Sequence, residues 1–177
     1  MMRLIQKPGN AEYAPYAEQY IGLLPDDGLV LEHLAENLRM TFRFLSLLSE
    51  EKLLYRYAPD KWTIKEIVLH LADDERIYTY RALRFARNDN VELPGFDQDS
   101  YALYSDANQR TIDDLLGELA TVRAATLSFF NSLNDEALTR TGIADGNFMS
   151  VRAIAYHLAG HELRHLNVIR ERYLTSA

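Results

Sequence analysis

The sequence predicts an all-α protein, a four-helix bundle with a short extra helix near its N-terminus. Three observations point there. Apolar residues recur three and four apart over long stretches, as in Leu31, Leu34, Leu38, Phe42, Leu45 and Leu48, the spacing of one amphipathic helical face. Four such segments are separated by connections rich in Asp, Asn, Gly and Pro, residues that punctuate helices. No strand-rich region, internal repeat or low-complexity tract interrupts them.

Taken in order, residues 1–27 form an N-terminal arm that holds three of the five prolines and one short helix near Tyr13 to Leu23. "PDDG" (25–28) is a turn. The bundle domain spans 28–177. Its first helix is predicted over 29–54 and is broken by "APDKW". The second opens at Thr63, where Thr63 and Glu66 make the capping box "TIKE", and runs to about Asn88. "NDNVELPGFDQDS" is a loop, long for a bundle connection. The third helix covers 99–133 with a break near Thr111, where "TIDD" can start a fresh segment. "NDEALTRTGIADGNFMS" is a second irregular connection, and the fourth helix runs from Ser150 to about Leu174.

Composition excludes several functions. The chain of 177 residues is long enough for one domain with a real core. With 19 Lys and Arg against 26 Asp and Glu, its net charge of −7 lacks the basic footprint of nucleic-acid binding. There is no cysteine, which removes disulfides, thiolate zinc sites and a cysteine nucleophile. The start "MMRLIQKPGNAEYAPY" has no apolar core like that of a signal peptide, and no apolar run reaches the length of a membrane span. The expectation is a cytoplasmic protein with no membrane partner.

Four of the five histidines lie on two predicted helices. His157, His161 and His165 repeat every four residues on the fourth helix. Each step of four leaves neighbours about 40° apart and about 6 Å along the axis. His161 and His165 can therefore address one cation, with His157 one turn earlier as a third ligand or a supporting group. Against the apolar face of Val151, Ile154, Leu158 and Ile169, His165 falls inside and His161 at the edge. His70 sits at the edge of the second helix's apolar face. His33, alone on the first helix, is a surface or core residue.

The stretch His161-Glu162-Leu163-Arg164-His165 matches H-E-x-x-H, a zinc-protease signature. Zinc needs a third protein ligand, and the Gly and His that the metzincin pattern requires downstream are absent. The third ligand must come from upstream, and His70 is the best candidate.

At these residues a family resemblance enters. "DKWTIKEIVLHLADDERIYTYRALRFARND", followed by "AIAYHLAGHELRHLNVIRERY", resembles the DinB-like superfamily of candidate metalloenzymes. The resemblance implies a bundle of mirrored up-and-down topology and a divalent metal held by His70, His161 and His165. It also implies a homodimer, and chemistry of the thiol-dependent transferase type, in which a metal-bound thiol acts on an electrophile.

Three neutral imidazoles leave a divalent ion its charge and open positions, so either hydroxide or thiolate can serve as nucleophile. Without cysteine, a thiol would be a low-molecular-weight cofactor. The donor set favours zinc and leaves nickel, iron and manganese open. Asp74, one turn after His70, and Glu162, on the apolar side of the fourth helix, are candidates to orient an imidazole or act as general base. Set against these roles, Asp73 and Asp74 are solvated and Glu162 pairs with an arginine such as Arg76 or Arg81. Tyr78, Tyr80, Tyr101 and Tyr104 line a pocket or pack, and Trp62 belongs to the core. Three functions compete: a metal-dependent transferase or hydrolase acting on a small molecule, a non-catalytic metal-binding bundle, and a structural helical protein. An all-histidine site is expected to release its metal below about pH 6.

Overall fold

The computed structural model describes residues 2–174. Two 3-10 turns (Asn10–Glu12 and Pro15–Ala17) lead into α1 (Glu18–Ile21). Then come α2 (Val30–Leu45), α3 (Glu50–Leu53), α4 (Ile64–Ala86) and α5 (Gln98–Leu103). A 3-10 turn (Ala107–Gln109) precedes α6 (Ile112–Ser132) and α7 (Asp135–Thr139). A hairpin of β1 (Thr141–Ala144) and β2 (Asn147–Ser150) leads to α8 (Val151–Val168), which ends in a π-helical turn, Ile169–Tyr173.

The bundle consists of α2, α4, α6 and α8. α4 packs on α6 and α8, and α2 packs on the same two, so α2 and α4 stand diagonally. The core falls into two apolar halves. One gathers Val30, Leu34, Phe85, Phe130, Val151 and Ile154; the other gathers Leu45, Ile64, Val68, Leu115, Leu119 and Ile169. α2 and α8 begin in the first half and end in the second, whereas α4 and α6 run the other way. The order is therefore up, down, down, up. This direction pattern explains the long connection between α4 and α6. α4 is about 34 Å long at 1.5 Å per residue over its 23 residues, and the chain must travel back along it. Leu93 packs in the first half and Ala107 in the second, so the connection crosses from one to the other.

Between the two halves, all four helices place polar side chains at one height: Asn37 and Thr41, Asp74 and Glu75, Arg123 and Thr126, His157, His161 and Glu162, all buried. Arg123 is the hub. Its guanidinium donates to Glu75 Oε1 at 2.8 Å and Oε2 at 2.7 Å, to Glu162 Oε2 at 2.9 Å, and to the carbonyl of Leu34. Thr41 donates to Glu162 Oε1 at 2.7 Å, and Asn37 to the Ala159 carbonyl at 2.8 Å. Buried charge is tolerated only when paired and hydrogen-bonded, and the Arg123, Glu75 and Glu162 network meets that condition while tying the helices together at one depth.

Two elements differ from the sequence expectation. The first helix stops at Leu45 rather than continuing to 54, because Ser49 caps a separate turn, its Oγ accepting from Lys52 N at 3.3 Å. The second irregular connection contains the β-hairpin, paired from Thr141↔Ser150 to Ala144↔Asn147. Its turn is Asp145-Gly146, with φ of 53° and 67°, the two positive φ values of a type I′ turn. The predicted capping box is present: Glu66 N donates to Thr63 Oγ1 at 3.1 Å and Thr63 N to Glu66 Oε2 at 2.7 Å. The predicted break also falls at Thr111, which caps α6 by accepting from Asp114 N.

The N-terminal arm is built into the core through Ile5, Tyr13, Ala17 and Ile21. Gly160 makes this possible. A Cβ there would lie 2.1 Å from the Tyr20 carbonyl oxygen, so only glycine lets α1 lie directly on α8.

Candidate metal centre

α4 contributes His70 and α8 contributes His161 and His165. Their Nε2 atoms converge: His161 Nε2 lies 3.2 Å from that of His70 and 3.1 Å from that of His165. The rings stand steeply to one another, at 75°, 68° and 85°, as imidazoles do when each aims a lone pair at a common point. Tetrahedral bonds of about 2.0–2.1 Å would set ligand nitrogens about 3.3–3.4 Å apart, so the donors fit a divalent ion with little movement. They form the one cluster of three such ligands among the described residues.

Burial keeps these rings neutral. It lowers His70 to about 3, helped by the nearby His165, and lowers His165 to about 4, helped by Arg164. His161 is pushed well below its ordinary value by burial first and then by His165 and His70. Neutral imidazole is the form that binds metal. His161 is the more deeply buried of the α8 pair and His165 the more exposed, the reverse of the helical-wheel expectation. The reason is α1, whose Tyr20 ring lies 5.4 Å from His161 and 4.8 Å from His157.

Asp74 is buried, not solvated. Its Oδ2 lies 3.3 Å from His161 Nδ1 and 3.9 Å from His157 Nε2, and it makes no hydrogen bond of standard geometry. Burial raises this carboxyl to about 8 against the opposing pull of Arg81. A carboxylate behind the distal nitrogen of a metal-binding imidazole fixes its tautomer and aims its other nitrogen. His157 does not join the cluster. It stacks on Tyr78 with centroids 4.2 Å apart, and burial, then Arg81, lowers it to about 3. Asp73 is partly exposed and pairs with Arg76 at 3.1 Å.

Glu162 faces away from the three histidines, its oxygens taken by Arg123 and Thr41. Its partner is Arg123 rather than Arg76, which pairs with Asp73 and Glu118, or Arg81, which donates to the Pro94 carbonyl. His33 is a half-buried surface residue hydrogen-bonded to Asp27 at 2.9 Å.

A cavity of about 590 Å³ opens beside His165, within the roughly 300–1,000 Å³ range of small-molecule sites. Trp62 lines it and also lies 4.7 Å from the His70 ring, so the residue read as core borders the site. Tyr78 packs inside, and Tyr80, Tyr101 and Tyr104 are exposed. Sequence reasoning missed Trp62, Tyr20 and Arg123 as residues around the site. For Trp62 the signal was its place immediately before the cap of the helix that carries His70.

The family model of the DinB superfamily matches residues 33–169. A protein of Oceanobacillus iheyensis described as a candidate metal-dependent hydrolase is 29% identical over 125 residues, 70% of this chain and 71% of its own. The solved structure of YfiT from Bacillus subtilis aligns with a TM-score of 0.69 at 16% identity, over 94% of this chain and 91% of that one. YfiT is described as a probable metal-dependent hydrolase with an unusual four-helix bundle topology, and its likeness to this chain is one of fold. No helix among the described residues is long and apolar enough to cross a membrane.

Proposed function

The chain belongs to the DinB superfamily, and on that premise we propose that it is a metal-dependent hydrolase of small molecules with His70, His161 and His165 as ligands. The observation that carries the reading is the meeting of three neutral Nε2 atoms, from two helices, beside an open cavity. A divalent ion there, zinc by preference, supplies Lewis acidity and lowers the pKa of a bound water.

The chain's own residues do the rest. Asp74 Oδ2, 3.3 Å from His161 Nδ1, is placed to accept the Nδ1 proton once the carboxyl is ionised and so leave Nε2 bare. It does not line the cavity, which makes it a positioning residue rather than a general base. Glu162 serves with Arg123 to set the depth at which α8 meets α4. Tyr20 closes the buried side, so a substrate enters past His165.

The test is turnover by zinc-loaded and chelator-treated protein on a panel of amides and esters. Hydrolysis restored by zinc and lost in His161→Ala supports the proposal. Zinc-dependent consumption of an electrophile only when a low-molecular-weight thiol is added would move the assignment to the transferase reaction. Inactivity of fully loaded protein in both assays would leave a non-catalytic metal-binding bundle.

A further inference from the structure

The cavity beside His165 has walls that select a substrate. Three aromatic rings border it, Tyr57, Trp62 and Tyr173, with Ile67, Val168 and Leu103 between them. The rings brace one another and the site: Tyr173 donates to the Trp62 carbonyl at 2.6 Å and stands edge-on to Tyr57 with centroids 5.0 Å apart, and the Trp62 ring lies 4.7 Å from that of His70. Fixed aromatic surfaces receive flat apolar groups, by offset or edge-to-face contact. The charges at the mouth are already spent. Arg56 pairs with Glu66 at 2.8 Å and Lys61 with Asp60 at 2.7 Å, while Asp99 adds a further carboxylate to the lining. Among the described residues lining the mouth, no side-chain cation is left unpaired to receive an anionic group at the end of a substrate away from the imidazoles.

We infer that this cavity takes a neutral acyl compound bearing an aryl group, whose ring packs against Trp62 and Tyr57 while its carbonyl reaches the meeting point of the three imidazoles. The inference rests on the hydrolase reading and names its substrate class, an aryl ester or aryl amide rather than a carboxylate or phosphate. In the reaction the bond from the acyl carbon to the leaving oxygen or nitrogen breaks. Water gives its hydroxyl to the acyl carbon and its remaining proton to the leaving group. Trp62 and Tyr57 are specificity-determining residues, since neither offers a group to that exchange.

Hydroxamates test this without turnover, because they bind a hydrolytic metal directly. Zinc-loaded protein of measured metal content is titrated with acetohydroxamate, benzohydroxamate and 4-carboxybenzohydroxamate, by calorimetry and by fluorescence of Trp62, the chain's one tryptophan. Benzohydroxamate is expected to bind about tenfold tighter than acetohydroxamate, or more, and the para-carboxylate to cancel that gain. Trp62→Leu, compared at equal zinc loading, should erase the phenyl preference, with Trp62→Phe restoring most of it. Tyr57→Leu, whose ring contact is with Tyr173 and not with a histidine, should weaken the preference without moving zinc content. Equal binding of the two simple hydroxamates to fully loaded protein overturns the inference and leaves the metal site standing, as does a phenyl preference that survives in both leucine variants. Protein that takes up no zinc removes the hydrolase reading and this inference together.

Discussion

Arg123→Met is the substitution that most sharply probes how the bundle is held together. The guanidinium is 2% exposed and neutralises two carboxylates, those of Glu75 and Glu162, exposed by 3% and 1%. Methionine fills much of the volume but leaves both acids buried without a cation. Breaking one buried pair costs about 3–5 kcal/mol, and two orphaned carboxylates place this variant at the upper end. For a domain of this size that lowers Tm by about 10–15 °C. The sign with pH follows from Glu162, whose carboxyl burial already raises above its ordinary value. A raised folded pKa contributes stability below the unfolded value and loses it as pH climbs. The gap between variant and parent is therefore widest near neutrality and narrows toward pH 4.5. Adding Glu75→Gln and Glu162→Gln should recover much of the loss. Urea denaturation of the three proteins at pH 7 and pH 5, with a thermal melt at pH 7, reads all of this. An Arg123→Met protein within 1 kcal/mol of the parent at pH 7, an order-of-magnitude bound taken from exposed ion pairs, would refute the reasoning.

Three further outcomes follow from the site. Asp74→Asn should keep the fold but weaken zinc binding about 10- to 100-fold, measured by competition with a chromophoric chelator; unchanged affinity would remove its positioning role. Gly160→Ala drives a methyl into the Tyr20 carbonyl and should cost about 1–3 kcal/mol, with faster hydrogen exchange in residues 18–21 as the local sign. Burial moves the expected metal release below pH 6, because His70 and His165 stay neutral down to about 3 and 4 in the folded chain. Zinc should remain at pH 5. Over the same range the metal-free protein loses about 2 kcal/mol per buried histidine, since the unfolded chain takes up protons from pH 6.5 downward. Asp74, raised to about 8, works in the opposite sense and reduces the net fall. Zinc content and urea midpoints at pH 7, 5 and 4 separate the two effects.

The parts of this protein legible in its sequence are those set by local periodicity and caps. The span of α4, the Thr63–Glu66 box and the break at Thr111 follow from neighbouring residues. The convergence of His70 with His161 and His165 was also anticipated, from spacing on α8 and from the family resemblance. What escaped depends on partners distant in sequence. The up-down-down-up order is set by which half of the core each helix end enters. The depth of His161 is set by Tyr20, which the arm brings over Gly160. Glu162 found Arg123, whose place between α4 and α2 no local pattern reveals. The hairpin did have a local signal, Asp145-Gly146, but strands of four residues each are too short for their alternation to stand out.

The most direct test of the metal site is a zinc titration of chelator-treated protein, read by calorimetry and by metal analysis after desalting, beside His70→Ala and His161→Ala. The three converging nitrogens call for one zinc per chain in the parent and almost none in either variant, with all three proteins folded by circular dichroism. A folded parent that retains no zinc, or variants that bind it as well as the parent does, would contradict the account.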